Sequence, residues 1–286
     1  MENPAQWKLQ TLVFDNKMQY NLQQQHHAAQ FIALVGHHLI TQKEDDSNTN
    51  MEFQTVGNIL IGNPLENGLR LGMRLIDFKL EIIDSNNKVL SGISLNSKTK
   101  LQIFYELKEE LTKYGVDVSK LSYDLHYEIP DYNILDDKIF SVDEKYLREN
   151  AFYRHNANLV LKDILSEYDN SEEIKIWPHH FDTGSIINIE KNAKGEPTNS
   201  IGLGFAISDS MVNEPYYYLN FWSEQKLEIS SKINSPGQGK WMFPQWQGAV
   251  LPISVINSGK SPESQKLIAY EFLREGIEKI KELLNN

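Results

Sequence analysis

The spacing of apolar residues along the chain predicts several helices. In NLQQQHHAAQFIALVGHHLITQ, residues 21–42, apolar positions recur every three or four residues and fall on one helical face. SKTKLQIFYELKEELTKYG has the same pattern, with Ser97 as its N-cap and Gly115 just beyond its end. We therefore expect a helix near the start of the chain and a second one near residue 105.

Two further helices are predicted in the second half of the chain. SVDEKYLRENAFYRHNANLVLKDILSEY begins with Ser141 and Glu144, the spacing of a capping box. SPESQKLIAYEFLREGIEKIKELL begins with Ser261 as cap and Pro262 at the first helical position. These signals predict where each helix begins.

Extended runs with turn sequences between them lie between the helices. The first set is MEFQTVGNILIG, LRLGMRLIDFKLEIID and KVLSGISL; the second is EIKIWPHHFD, GSIINIEKN, SIGLGFAIS, PYYYLNFWS and AVLPISVIN. Strands follow strands without alternating helices, so the sequence predicts an α+β fold of antiparallel sheets with packed helices. LSYDLHYEIPDYN is interpreted as a short strand and a loop, and KINSPGQGKWMFPQWQG as a loop.

The order helix, strands, helix occurs twice. This predicts two similar halves, residues 1–135 and 136–286, packed as one compact unit. A single continuous antiparallel sheet with helices on one face is the alternative.

Composition narrows the class of protein. The 286 residues carry a formal net charge of -11 and no basic run, whereas a nucleic-acid-binding protein normally has a clustered positive surface. With no cysteine, the chain has no disulfide, thiolate-bound zinc or cysteine nucleophile. It has no apolar run long enough for a membrane span and no signal-peptide pattern. We expect a cytoplasmic, soluble protein without nucleic-acid or membrane partners, and the oligomeric state is not indicated.

The stretch WPHHFD, residues 177–182, concentrates chemical groups. If the strand continues past Pro178, alternate residues share a face: Trp177, His179 and Phe181 on one side, and His180 and Asp182 on the other. An imidazole and a carboxylate on one face suit metal ligation or acid–base work. We predict His179, His180 and Asp182 as ligands of a divalent metal; a structural His–Asp pair at a strand end is the alternative.

The histidine doublet of the first predicted helix adds a second candidate group. His26, His27 and Gln30 lie within reach of one another on that helix. They are predicted, with Trp177, to line a ligand pocket. In the stronger hypothesis the helix doublet faces the WPHHFD doublet across the two halves and forms a histidine-rich cleft for a divalent metal. In the plainer one these histidines lie at the edge of the core.

Aromatic residues cluster later in the chain. Tyr216 and Tyr218 share one face of a predicted strand, and Trp241 and Trp246 lie in the loop that follows; these four are predicted as further walls of the pocket. Packing of a sheet is the alternative for this aromatic ladder.

The surrounding sequence supplies glycines and candidate acids. Gly202-x-Gly204 lacks the third glycine of a dinucleotide-binding motif and more often marks close approach of a backbone or ligand. Asp209 and Glu214 flank the turn before the tyrosines and are the candidate catalytic acids or bases.

Several motifs together resemble a bacterial family of proteins that contain a domain of unknown function. HHAAQFIALVG, RHNANLVLKDIL, WPHHFD, IGLGF, EPYYY and AVLP carry the resemblance over most of the chain. Members have a TQ-x-x-G helix near the start and a W-x-x-FD strand; here these correspond to Ala29–Gln30 with Gly36, and to WPHHFD. Alanine replaces the threonine, Gly36 falls later than in that pattern, and WPHHFD has one residue more. The resemblance implies a compact full-length unit and brings no activity.

These features support two functional hypotheses. The first is a metal-assisted hydrolase or isomerase acting on a small molecule. Its site would use His179 or His180 with Asp182, His26 or His27 from the first helix, and Asp209 or Glu214 as the general base. The second is a non-catalytic ligand-binding or structural protein whose pocket is lined by the aromatic residues.

Overall fold

The computed structural model describes residues 5–225 and 233–284 and confirms the predicted α+β class. These residues contain five helices and eleven strands, and the strands pair antiparallel. None of the described helices combines the length and the apolar composition that a bilayer span requires.

The chain folds as two compact units that do not coincide with the predicted halves. One comprises Asp15–Ala151 and Lys175–Phe181 and is called the α1 unit here. The other comprises Met1–Phe14, Phe152–Ile174 and Asp182–Asn286 and is called the α5 unit. The α1 unit therefore takes residues 136–151 and 175–181 from the second predicted half, and the α5 unit takes residues 1–14 from the first.

The α1 unit is a meander covered by its first helix. Its elements are α1 (Asn16–Leu39), β1 (Met51–Gln54), β2 (Ile59–Gly62), β3 (Arg70–Arg74), β4 (Lys79–Ile83), β5 (Val89–Ser94), α2 (Lys100–Lys113) and β6 (Lys175–Trp177). The strands lie in the order β6-β1-β2-β3-β4-β5. Helix α1 packs on β2 and β3, where a Cβ on Gly62 would lie 2.5 Å from Cγ2 of Ile32. This close approach buries almost the whole middle of α1.

The α5 unit has a second antiparallel group of strands with the last helix against it. Its elements are β7 (Asp182–Lys191), β8 (Pro197–Ala206), β9 (Tyr216–Ser223), β10 (Lys240–Trp241), β11 (Gly248–Pro252), α4 (Ile253–Ile256) and α5 (Pro262–Leu284). The order is β10-β11-β9-β8-β7, and α5 packs on β8, β9 and β11. Helix α3 (Glu144–Leu165) belongs to this unit from Phe152 onward.

Two of the predicted extended runs are hairpins. MEFQTVGNILIG forms β1 and β2 around a tight turn with Asn58 at φ 49°, and LRLGMRLIDFKLEIID forms β3 and β4 around a turn with Phe78 at φ 47°. A phenylalanine gives no turn signal, because a left-handed backbone is unusual for a bulky residue. Four short strands therefore replace two long ones.

Two of the predicted helix caps are wrong. Helix α2 is capped by Thr99, which forms a capping box with Gln102, while Ser97 lies outside the helix at φ 64°. Helix α3 begins at Glu144, where the Asp143 carboxylate accepts a hydrogen bond from the Lys145 amide.

The other two helix-boundary predictions are confirmed. Gly115 follows the end of α2 at φ 77°. Ser261 caps α5, since its hydroxyl accepts a hydrogen bond from the Ser264 amide. In the two wrong predictions, the serine chosen as cap lies two residues before the residue that caps the helix. Serine, threonine and aspartate are all common N-caps, so the sequence alone does not distinguish between them.

The predicted alternation of side chains along WPHHFD is wrong. Strand β6 ends at Trp177, residues 178–181 form a turn, and β7 begins at Asp182. The Phe181 amide donates to the Trp177 carbonyl at 2.7 Å and closes the turn. His179 and His180 therefore lie in a turn and not on opposite faces of a strand.

Candidate functional site

The segment 121–131, called the strap here, lies along α1 and forms one wall of a cleft. Its side chains alternate between half-buried or buried and exposed positions, as in a strand, although it joins no sheet. The inward-facing positions are Leu121, Tyr123, Leu125, Tyr127 and Ile129. The predicted short strand is therefore an extended segment whose contacts are made by side chains.

Within the described chain, no main-chain N–H of residues 122–130 donates to a main-chain carbonyl. Side chains hold the strap instead. His27 Nε2 donates to the Pro130 carbonyl at 3.1 Å, and His38 Nε2 lies 2.8 Å from the Asp124 carbonyl. The Tyr127 hydroxyl donates to Gln30 Oε1 at 2.8 Å. Three residues of α1 thus fix the strap in place.

The cleft beneath the strap has a volume of about 300 Å³. Its apolar walls are Phe31 and Leu34 from α1 and Leu125 and Ile129 from the strap. Its polar groups are His27, Gln30, Lys100, Tyr123, Tyr127, Glu128 and Asp131. An apolar cavity with a few convergent polar groups is the usual form of a small-molecule site.

Burial sets the charge inside this cleft. Burial, with Lys100 nearby, lowers the pKa of His27 to about 4, so this imidazole is neutral at pH 7. Burial raises the pKa of the Tyr127 hydroxyl above its ordinary range, and Asp46 adds to that shift. Lys100 supplies the positive charge and is paired with Asp136 at 2.8 Å.

Two other clefts are less suited to hold a ligand. One of about 420 Å³ lies among chain turns at the C-terminal ends of α1 and α2 and is lined mainly by polar groups such as Glu66, Asn67 and Asp117. The other, of about 510 Å³, runs along α5 alone, from Leu267 to Glu282. One helix cannot enclose a ligand, so this second cleft is a surface groove.

The predicted ligand residues of α1 divide between the cleft and a neighbouring clamp. His27 and Gln30 line the cleft, as the sequence predicted for a pocket. His26 Nε2 and Gln30 Nε2 lie 2.9 and 2.8 Å from the Pro178 carbonyl. These two side chains thus hold the WPHHFD turn against α1.

Phe181 completes this clamp. It is 1 % exposed, has φ 56°, and stacks on the His26 ring at 5.2 Å between centroids with 6° between the planes. A bulky residue in the left-handed region persists only where its surroundings hold it. His26 contacts the turn at Pro178 and Phe181, and this clamp lies where the sequence predicted a histidine-rich cleft between two doublets.

Two of the three predicted metal ligands, His179 and His180, are neighbours, with 4.4 Å between their ring centroids. The Asp182 carboxylate accepts a hydrogen bond from the Tyr218 hydroxyl at 2.6 Å, and His179 packs against Tyr127 and His180. The described part of the chain contains no group of three or more histidine and acidic side chains placed to hold a metal ion. His179, His180 and Asp182 form no such group, and a turn after Trp177 replaces the alternation that would have placed His180 and Asp182 on one face.

Three of the predicted aromatic wall residues pack together in the α5 unit. Tyr218 lies 6.5 Å from Tyr216 and 6.4 Å from Trp246 between ring centroids, and this group packs on Val212 and Val250. The packing alternative is therefore the observed one.

Trp241 and Trp177 lie in other surroundings. Trp241 pairs with Ala249, on the opposite strand face from Val250, stacks on Phe243 at 5.0 Å, and donates from Nε1 to the Asn234 carbonyl at 2.9 Å. Trp177 is half-buried at the end of β6 in the α1 unit. Neither residue lines the cleft under the strap.

The glycines of IGLGF allow close approach, as predicted. A Cβ on Gly184 or Gly204 would lie 2.6 or 2.5 Å from the Tyr218 hydroxyl oxygen, and one on Gly202 would collide with the Asn220 amide. The missing side chains let Tyr218 cross two neighbouring strands and reach Asp182. The same buried region holds Arg154, whose guanidinium bonds the Thr183 hydroxyl. Burial lowers the pKa of Arg154 to about 10 while Asp182 opposes that shift, so the guanidinium stays charged at pH 7.

The two predicted catalytic acids hold turns. Asp209 accepts hydrogen bonds from the amides of Met211 and Val212 and from the Tyr216 hydroxyl. Glu214 accepts from the amide and the hydroxyl of Ser254 at 2.7 and 2.9 Å. Their carboxylates are thus engaged in local structure, and neither lines the cleft under the strap.

Comparison of this chain with models of protein families, with curated proteins and with solved structures finds no match in any of the three. The functional interpretation therefore depends on the geometry of the molecule itself.

Sequence reasoning missed the strap and Lys100. The available signal was the alternation of Leu, Tyr, Leu, Tyr and Ile at odd positions from 121 to 129, which indicates one buried side. It was interpreted as a strand because period-two alternation is typical of sheets. The approach of Lys100 depends on the fold, and no local pattern contains it.

Proposed function

We propose that this protein binds a compact, mainly apolar small molecule in the cleft between α1 and the strap. The observation that carries the proposal is the apolar wall that Phe31, Leu34, Leu125 and Ile129 form along a cleft of about 300 Å³. This volume lies at the lower end of the range for small-molecule sites, which favours a compact ligand.

The polar groups of the cleft support binding rather than chemistry. His27, Gln30 and Tyr127 are engaged in holding the strap, and the half-buried Lys100 carries the positive charge. The ligand is therefore expected to present an apolar body to the walls and an acidic or polar end toward Lys100. Metal-assisted hydrolysis or isomerisation is not part of the proposal, because His179, His180, Asp182, Asp209 and Glu214 do not line this cleft.

A thermal-shift screen tests the proposal. The library contains compact aromatic and aliphatic carboxylates and their neutral analogues. A ligand at a hundred times its dissociation constant adds about 2.7 kcal/mol to the free energy of unfolding, which raises Tm by roughly 5 °C or more.

Leu125→Trp supplies the discriminating variant, because the larger side chain fills the cleft. Leu135→Trp is the matched control, since Leu135 is 50 % exposed and does not line the cleft. The hits are expected to stabilise the native protein and the control and to lose their effect on Leu125→Trp. Hits that stabilise all three proteins equally would place the ligand elsewhere.

A further inference from the structure

The segment from Gln6 to Leu12, called the arm here, is held in the α5 unit like a bound extended peptide. Four side chains hold its main chain at every second residue. His155 Nε2 lies 3.1 Å from the Gln6 carbonyl, and Asn257 donates to the Leu12 carbonyl at 3.1 Å. Between them, Asn156 and Gln265 hold Lys8 and Gln10.

Asn156 and Gln265 each bracket one residue of the arm through both of its main-chain groups. Asn156 accepts from the Lys8 amide at 2.8 Å and donates to its carbonyl at 2.7 Å. Gln265 does the same to Gln10, at 3.0 and 2.7 Å. Both side chains are fully buried. A side-chain amide used in this way recognises extended backbone whatever the residue, which is the chemistry of peptide recognition.

Two side chains of the arm enter the protein. Trp7 is 4 % exposed and donates from Nε1 to Gln265 Oε1 at 3.3 Å, whereas Leu9 and Val13 are 38 % and 85 % exposed. Gln10 is 2 % exposed, and neither atom of its side-chain amide has a hydrogen-bond partner among the described residues. A buried amide without partners is costly, so the arm is a suboptimal occupant at this position.

We propose that the groove formed by α3, α5 and the end of α4 is a peptide-binding site that the arm occupies. Its partner is an extended peptide of another protein, with an aromatic residue at the position of Trp7 and an apolar residue at the position of Gln10. Such a peptide keeps both amide brackets, fills the aromatic pocket and removes the unpartnered amide, so it displaces the arm. The groove lies in the α5 unit and is independent of the proposed small-molecule cleft.

The experiment cuts the arm without removing it. A protease site is inserted between Phe14 and Asp15, the full chain is cleaved, and native mass spectrometry follows the arm. Labelled peptides of residues 5–14 are then titrated, one with the natural sequence and one carrying Gln10→Met. The expected result is a retained arm that exchanges with both peptides, the Gln10→Met peptide binding roughly tenfold more tightly.

Variants of the groove give the second readout. Asn156→Leu removes two hydrogen bonds to the arm and Gln265→Leu removes three. Each variant is expected to weaken peptide binding by roughly tenfold or more. Asn213→Leu is the matched control, because Asn213 is exposed, and it is expected to bind as the native protein does.

Several outcomes would overturn the proposal. The first is a cleaved protein that stays folded but binds neither peptide. The second is a cleaved protein that unfolds and is not restored by either peptide. Equal affinity of the two peptides would remove the preference for an apolar residue at position 10. Exchange of arms between intact copies would assign the groove to a second copy of this chain instead of a separate peptide.

Discussion

At the scale of single residues, His27 couples the cleft to pH. Burial, with Lys100 nearby, lowers its pKa to about 4, and the hydrogen bond that its imidazole donates to the Pro130 carbonyl only partly opposes this shift. An ordinary histidine, as in the unfolded chain, has a pKa near 6.5. The unfolded chain therefore binds this proton more readily than the folded one between these two values.

Linkage then predicts a loss of stability as the pH falls from about 6.5 toward 4. After allowance for partial solvent screening, protonation of His27 is expected to lower the free energy of unfolding by about 2 kcal/mol over this pH range. Urea unfolding at pH 7 and pH 4.5 measures it. His27→Gln keeps a donor for Pro130 without the titration and should lose less stability on acidification, by most of that amount. Parallel losses in both proteins would contradict the assignment.

Gly184 and Tyr218 are expected to be energetically coupled. A Cβ on Gly184 would lie 2.6 Å from the Tyr218 hydroxyl oxygen. Gly184→Ala should cost roughly 2–3 kcal/mol in the native background. It should cost less than half of that in Tyr218→Phe, where the hydroxyl is gone.

Gly204→Ala is the control for this cycle, because its Cβ would also collide with the Thr183 carbonyl. Removing the tyrosine hydroxyl does not relieve that contact, so Gly204→Ala should remain costly in both backgrounds. Chemical denaturation of the single and double variants gives the coupling. If the stability costs of Gly184→Ala and Tyr218→Phe simply add in the double variant, Tyr218 does not occupy the space over Gly184.

At the scale of elements, the strap is a segment of the α1 unit that is held in place by side-chain contacts. The main-chain amides of residues 122–130 lack main-chain acceptors among the described residues, whereas β3 and β4 form a regular ladder. Strap amides are therefore expected to exchange hydrogen roughly a hundredfold or more faster than those of β3 and β4. Hydrogen-exchange mass spectrometry measures this, and a cleft ligand should slow the strap. Protection equal to that of the strands would show that the strap does not open locally.

The sequence predicts helices and strands better than it predicts the turns between them. The apolar period located α1 and α5, and Ser261 and Gly115 marked helix boundaries that the structure confirms. It did not locate the turn at Phe78, because a buried phenylalanine in a left-handed conformation gives no local signal. The same limitation applies to Phe181 in WPHHFD.

The candidate site was predicted only in part, for a related reason. His27 and Gln30, which were predicted as pocket residues because they share a face of one helix, line the cleft. The opposite wall comes from the strap about a hundred residues later, and Lys100 comes from the start of α2. Contacts between segments so distant in sequence depend on tertiary packing, which periodicity does not report.

At the scale of the whole molecule, charge limits the class of partner. The formal net charge is -11, and the sequence has no basic run. We predict that duplex DNA binds such a chain weakly, because binding needs cations to replace the counterions of the phosphates. An electrophoretic mobility assay with a short duplex at low salt is expected to show no shift at micromolar protein. A shift that weakens as salt rises would reveal a basic surface that the net charge conceals.

The central claim is that a small molecule binds between α1 and the strap. Methyl nuclear magnetic resonance tests it most directly, with the strongest hit of the thermal-shift screen titrated into selectively labelled protein. We predict saturable shifts in Leu34, Leu125 and Ile129, which line the cleft, and none in Val212 or Val250 beside Tyr216 and Tyr218. Shifts confined to the Val212 and Val250 group, with the cleft methyls unchanged, would contradict the account and place the ligand on the aromatic face of the α5 unit.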